Sequence, residues 1–148
     1  MKFLMFTRKT FPTGSEMFGD TASITQNGNP VIVYNCARTW PNPYKPQTKK
    51  TFDLSYGVIA LGNYKAICVI HEKYGKCLLI NNGENIPAAL PNVNHNNLHI
   101  IAEAFVHCSD SDTWPGSAGC LTIMKSKWPD FISYFNKGEE IALIVKGL

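Results

Sequence analysis

Two side chains of this chain have the types and the spacing for nucleophilic catalysis: His107 and Cys120. An apolar run, residues 105–107, ends in the imidazole. Twelve residues then separate it from the thiol. They form a polar stretch with no hydrophobic periodicity, closed by Trp114-Pro115-Gly116 and followed by Ser117-Ala118-Gly119-Cys120. A cysteine nucleophile needs a base, a low-dielectric but reachable position, and donors for the oxyanion formed when it attacks a carbonyl. His107 can be the base. The N–H groups of Gly119 and Cys120 are the natural oxyanion donors, because the missing side chain of Gly119 lets a carbonyl approach the backbone. Ser117 can bond across the loop and fix its shape. The imidazole needs an acceptor to orient it, and a backbone carbonyl suffices. Such a site predicts a Cys120 that reacts with iodoacetamide well below the usual thiol range, and more slowly after His107→Ala.

The plainer alternative is a hydrogen-bonded sheet histidine and a buried thiol. A zinc site from His107, Cys108 and Cys120 suits the ligand types. However, His107 and Cys108 are adjacent on a strand and point to opposite faces. No metal and no cofactor is therefore expected. The cysteines, at 36, 68, 77, 108 and 120, are odd in number and form no Cys-x-x-Cys pair. That argues against a zinc ribbon or a thioredoxin-like centre. Cys68 and Cys77 flank a hairpin and read as two thiols on a core face, with a disulfide between them left open.

The elements that position this site read as mostly β. Strands are expected at residues 2–8, 21–26 and 30–36, with a stop at Pro12-Thr13-Gly14-Ser15 and an Asn27-Gly28 hairpin turn. Residues 38–50 form a loop with Trp40-Pro41-Asn42-Pro43-Tyr44-Lys45-Pro46 at its centre, of a length that often serves as a lid or binding edge. Residues 65–71 and 76–80 form a hairpin turned at Tyr74-Gly75. Residues 85–97 read as irregular, and 98–107 as one strand. One helix is expected over 125–136, from Trp128, Phe131, Ile132 and Phe135 at helical spacing. It stops at Lys137-Gly138. A last strand covers 139–146, with Ile141, Leu143 and Val145 inward.

Length and composition suit one domain over 1–148. The 14 Lys and Arg against 11 Asp and Glu are scattered, which disfavours a nucleic-acid groove. No apolar run reaches the length of a membrane span. The N-terminus lacks a secretory signal, which predicts synthesis in the cytoplasm.

Residues 107–122 resemble the active-site motif of the L,D-transpeptidase catalytic domain, in which a strand ends in a catalytic His and a loop leads to Ser-His-Gly-Cys or a relative. His107, Ser117, Gly119 and Cys120 carry the match. The compact loop is similar to small phage and bacterial members with a Ser/Thr-x-Gly-Cys motif. Ile59-Ala60-Leu61-Gly62-Asn63-Tyr64 resembles the Pro-x-Gly-x-Tyr/Phe step of these domains, with Ala60 in place of Pro. Ala118 stands where the larger enzymes carry His or Arg, and Thr122 where they carry Arg or Asn. Cys108 replaces a Gly.

The resemblance implies an L,D-transpeptidase-like β-sandwich or barrel of mixed, mostly antiparallel strands with one late α-helix. It implies a peptidoglycan-modifying transferase or hydrolase with Cys120 as thioester-forming nucleophile and His107 as base. Gly119, Ser117, Ala118 and Cys108 would shape the loop and oxyanion site. Thr122, Trp114 and Tyr64 would meet the substrate. The implied partners are peptidoglycan stem peptides and a delivery or immunity protein. The implied site of action is the periplasm or cell wall, reached by phage lysis or as a secreted effector or toxin. Two other readings stay open: a non-catalytic phage structural or wall-binding module of the same fold, and an intracellular cysteine hydrolase of small amides.

Overall fold

A computed structural model describes residues 1–9, 17–41 and 57–147. The stop expected at 12–15 and the part of the proline-rich loop over 42–50 lie outside these residues. The described strands are β1 (Lys2–Arg8), β2 (Asp20–Gln26), β3 (Asn29–Arg38), β4 (Gly62–His71) and β5 (Gly75–Ile80). They continue with β6 (Ile86–Asn92), β7 (Leu98–Ile101), β8 (Phe105–Cys108), β9 (Leu121–Ile123) and β10 (Glu140–Gly147). A short helix α1 (Trp128–Ile132) precedes β10. Eight strands close into a barrel in the order β1-β10-β4-β5-β8-β9-β3-β2, while β6 and β7 form a separate two-stranded sheet. The barrel is mostly antiparallel, with β1–β10 and β8–β9 parallel. The fold is thus a mainly-β, mixed, mostly antiparallel barrel with one late helix. No described helix is long and apolar enough to cross a membrane.

Alternation builds the barrel interior. Leu4 and Phe6 on β1, Ala22 and Ile24 on β2, and Ile141, Leu143 and Val145 on β10 are all buried. Phe3 on β1 and Val31 and Val33 on β3, the last next to the buried Tyr34, remain exposed, as expected when successive side chains point to opposite faces. The β2–β3 turn has Asn27 and Gly28 both at positive φ, 51° and 80°. That is the conformation a two-residue hairpin of matching twist demands. Ends of β1, β2 and β3 are tied by a buried polar network. Asp20 accepts from the Thr39 N–H and Oγ1 at 2.8 Å, and Arg8 donates to Thr39 Oγ1 and the Ile59 carbonyl.

Three expectations need correction. Residues 86–92 are a strand, not irregular: Ile86 and Ala88 are buried while Pro87 and Ala89 are exposed. The prolines are tolerated because this small sheet leaves ladder positions unused. Residues 98–107 are not one strand. Glu103 adopts φ 49°, the chain bends, and its two halves join different sheets. β7 pairs with β6, whereas β8 pairs with β5 and β9. The single-strand alternation therefore fails; Ala104, Phe105, Val106 and His107 are all buried. The helix is shorter than 125–136. A 3-10 turn at Lys125–Lys127 precedes α1, which carries a proline in its first turn. Pro129 has no N–H to donate, so regular helix cannot extend back through it. Beyond Ile132 the chain tightens into i→i−3 bonds, Tyr134 to Phe131 and Phe135 to Ile132. The apolar spacing still holds: Trp128, Phe131, Ile132 and Phe135 are all buried.

Candidate active site

The site rests on the parallel β8–β9 ladder. A parallel pair needs a crossover of about a dozen residues or more, and residues 109–120 provide it. The ladder sets Val106 beside Leu121, His107 beside Thr122 and Cys108 beside Ile123. Val106 and Leu121 are wholly buried and point into the barrel with Leu78, the β5 partner of Val106. His107 and Thr122, one residue further on, share the opposite face. One step back along the same ladder, Cys120 lies beside Phe105, whose N–H donates to Cys120 Sγ at 3.4 Å. Cys120 immediately precedes β9, two positions back along the ladder from the His107–Thr122 pair. The structure thus sets His107 and Thr122 on one sheet face, with Cys120 at the end of the ladder against the Phe105 N–H.

His107 is 1% exposed. Its Nδ1 lies 2.7 Å from the Cys108 carbonyl oxygen. A carbonyl only accepts, so Nδ1 carries the proton and the Nε2 lone pair is left bare. Nε2 is buried and has no partner. The ring is stacked on Tyr74, centroids 4.2 Å apart and planes 13° apart. Tyr74 in turn stacks on His71 at 5.1 Å. Phe105 abuts both His71 and Tyr74 at 4.9 and 5.2 Å. Burial holds the imidazole below its usual range, with Lys73 acting the same way and the Cys108 carbonyl and Asp110 opposing. The neutral, Nδ1-protonated ring is the form a general base requires.

Cys120 presents the opposite difficulty. Desolvation pushes its thiol up to about 11, against weaker opposition from the Phe105 N–H and Lys73. The reactivity well below the usual thiol range expected from sequence is therefore not what this environment gives. Nor are the two groups hydrogen-bonded, since Nδ1 serves Cys108 and Nε2 bonds nothing. Both groups are neutral at rest.

The loop between them is internally braced. Ser117 Oγ donates to the Cys120 carbonyl at 2.7 Å and accepts from the Gly119 N–H at 3.1 Å. Gly119 has φ 127°, a backbone that side chains rarely adopt. Its N–H, expected to hold an oxyanion, is engaged in shaping the loop in this state. Gly116, at φ 66°, lies against Asp110: an added Cβ would meet that carboxylate at 2.2 Å. Ser109 Oγ donates to the Ser111 carbonyl and accepts from the Lys125 N–H, and Asp112 accepts from the Ser126 N–H. The loop is thereby pinned to the turn before α1.

The other expected residues fall at different distances from this centre. Cys108 points away from His107 and donates its thiol to the Ser109 carbonyl. Ala118 is exposed, two residues before Cys120. Trp114 is half-buried in the loop, where its carbonyl accepts from the Ser111 N–H. Tyr64 is not brought to the site. By register, His107 is level with Cys77 and Val69, and Tyr64 lies five residues along β4, roughly 16 Å away. Its hydroxyl donates to the Ala60 carbonyl, and it lines a separate cavity of about 630 Å³ with Asn81, Asn82 and Glu140. Cys68 and Cys77 are both buried free thiols. Among the described residues no group of three or more His, Cys, Asp or Glu is placed to hold a metal ion. Two contributors escape a sequence reading: Tyr74, which reads only as a turn residue, and the Phe105 N–H.

A mixed eight-stranded barrel with one short late helix has counterparts among solved structures. No family model matches the chain, and no curated protein matches its sequence. The helical cell shape determining protein Pgp2 from Campylobacter jejuni is similar in fold, with TM-score 0.51 and 9% identity over 99% of this chain and 48% of that one. An L,D-transpeptidase (Yku) from Stackebrandtia nassauensis aligns at TM-score 0.47 and 13% identity, over 96% of this chain and 55% of that one. Mycobacterium tuberculosis L,D-transpeptidase 1 aligns at TM-score 0.43 and 10% identity, over 97% and 62%. The chain spans about half the length of the structures it matches. At these identities the likeness is one of fold alone.

Proposed function

We propose that this chain carries a cysteine acyl-transfer site acting on peptidoglycan stem peptides, with Cys120 as nucleophile and His107 as general base. The observation that carries it is the β8–β9 ladder, which pairs a carbonyl-oriented His107 with a bare Nε2 to Thr122 and, two positions back, sets Cys120 beside Phe105. The His107…Ser117-Ala118-Gly119-Cys120 motif supplies the substrate class. With both groups neutral at rest, the proton leaves the thiol only as the substrate carbonyl arrives. Catalytic hydrogen bonds are often loose in free enzymes and tighten in the complex. Sγ attacks the carbonyl carbon of an L,D-peptide bond, Nε2 takes the thiol proton, and the same proton passes to the leaving amine as the C–N bond breaks. The Cys120 N–H is the oxyanion donor closest to the reacting sulfur in sequence. The Gly119 N–H joins it only by giving up Ser117 Oγ.

Incubation with purified muropeptides and mass analysis of the products tests this reading. Loss of a terminal residue, or its exchange for an added amine, is expected, and both should disappear in Cys120→Ser. Unchanged muropeptides would refute it. A second reading, a wall-binding module without turnover, is favoured by the missing His107–Cys120 hydrogen bond and the raised thiol. Its signature is saturable muropeptide binding that persists in both Cys120→Ser and His107→Gln, with no product.

A further inference from the structure

Two polar side-chain atoms at the site are buried without a hydrogen-bond partner: His107 Nε2 and Thr122 Oγ1. They belong to directly paired residues on adjacent strands. Thr122 is 0% exposed and His107 is 1% exposed. Buried polar atoms in folded proteins are satisfied, by protein or by ordered water, in the great majority of cases. Here one atom is a fixed acceptor, because the Nδ1 proton is committed to the Cys108 carbonyl, and the other is a hydroxyl able to donate or accept. The occupant that suits both gives a proton to Nε2 and exchanges a hydrogen bond with Oγ1. It must also be small, since neither atom reaches solvent.

We infer that Thr122 and His107 together hold a water molecule, and that this water is the second substrate, making the site a hydrolase rather than a transpeptidase. The inference rests on the Cys120 reading and selects its acceptor. Water held on the base is the acceptor already in place when the thioester forms, and Thr122, paired with His107 on one side and the buried Arg38 on the other, closes that position to bulk solvent. In the step itself, Nε2 takes a proton from the water as the water oxygen bonds to the thioester carbonyl carbon. The C–S bond then breaks with its electron pair on Sγ, and Nε2–H returns the proton to sulfur. The products are a carboxylic acid and the free thiol. Thr122 orients the water and is a specificity-determining position for the acceptor.

The test has two arms on the full chain. In ¹⁸O-labelled water with a muropeptide donor and added glycine as amine, the wild type should release an acid carrying one ¹⁸O, with the glycine adduct minor. Thr122→Val should slow thioester breakdown by about tenfold or more relative to its formation, the size expected for one lost hydrogen bond to the attacking group, so that the Cys120 thioester accumulates. Thr122→Ser should restore breakdown. In the second arm, water–protein NOEs should show a long-lived water near the Thr122 and His107 ring protons, lost in Thr122→Val. A glycine adduct that dominates in the wild type overturns the inference, as does a thioester that breaks down equally fast in Thr122→Val. Absence of that long-lived water also overturns it. If no thioester forms on Cys120 at all, the cysteine chemistry itself falls, and the water's catalytic role with it.

Discussion

In the free protein Cys120 should be slow to alkylate, and His107 should not matter to that rate. The thiol is pushed to about 11 from an ordinary 9.0. At pH 8 the thiolate fraction is then about one in a thousand, against about one in ten for an ordinary cysteine. Nucleophilicity rises with pKa at a slope of about 0.4–0.5, returning close to a factor of eight. The net expectation is labelling about tenfold slower than a small free thiol at pH 8, rising by about a decade per pH unit towards 11. Desolvation, the Phe105 N–H and Lys73 set the thiol's position. The His107→Gln profile should therefore superimpose on the wild type. Pulsed iodoacetamide labelling across the alkaline range measures this. Tandem mass spectrometry must locate the label, because no Lys or Arg separates Cys77, Cys108 and Cys120. Circular dichroism at each pH confirms that the fold persists. A profile that levels off at or below pH 9, or one that shifts when His107 is removed, would refute the neutral resting pair.

Other expectations follow from the same geometry. Gly116→Ala meets both an unfavourable φ and the Asp110 carboxylate, and should cost about 1–3 kcal/mol in denaturant unfolding; no loss would mean that the loop is not packed this way. Ser117→Ala removes the bonds to the Cys120 carbonyl and from the Gly119 N–H. It should destabilise by about 1–3 kcal/mol and speed exchange of the Gly119 amide, seen by hydrogen exchange. Tyr74→Ala should slow acylation by about three- to tenfold through loss of the stack on His107, with Tyr74→Phe close to wild type, in line with aromatic pairs worth about 0.5–1.5 kcal/mol. Because burial holds His107 neutral, the unfolded chain binds the proton more readily. Stability should be full above the ordinary imidazole range, about 6.5, and fall as pH drops below it. Chemical denaturation from pH 7.5 to 5 should show this fall, and His107→Gln should lessen it.

The parts of the fold legible in sequence are those with local causes. β1, β2, β3 and β10 follow from alternation bounded by turn residues. Asn27-Gly28 fixes a hairpin by its own φ preferences. The helix is visible in Trp128, Phe131, Ile132 and Phe135, but its length is not, because Pro129 and the 3-10 ends depend on backbone donors rather than apolar spacing. Glu103 hides the break between β7 and β8, since a left-handed glutamate has no sequence signature. Pro87 and Pro91 disguise β6. At the site, the loop and its Ser117 brace could be expected from residue types. The parallel β8–β9 register could not, because nothing in either strand encodes its partner. That register places Thr122 beside His107, and strand order across the barrel places Tyr74 over the imidazole.

The central claim is that Cys120 forms a thioester with His107 as base. Rapid acid quench of the protein with an excess of stem-peptide donor, followed by intact and tandem mass analysis, reads it directly. The expected result is a single acyl adduct on Cys120 in the wild type, none in Cys120→Ser, and formation slowed by about a hundredfold or more in His107→Gln, the range for removing a general base. No adduct on Cys120, or an equal rate in His107→Gln, would contradict the claim.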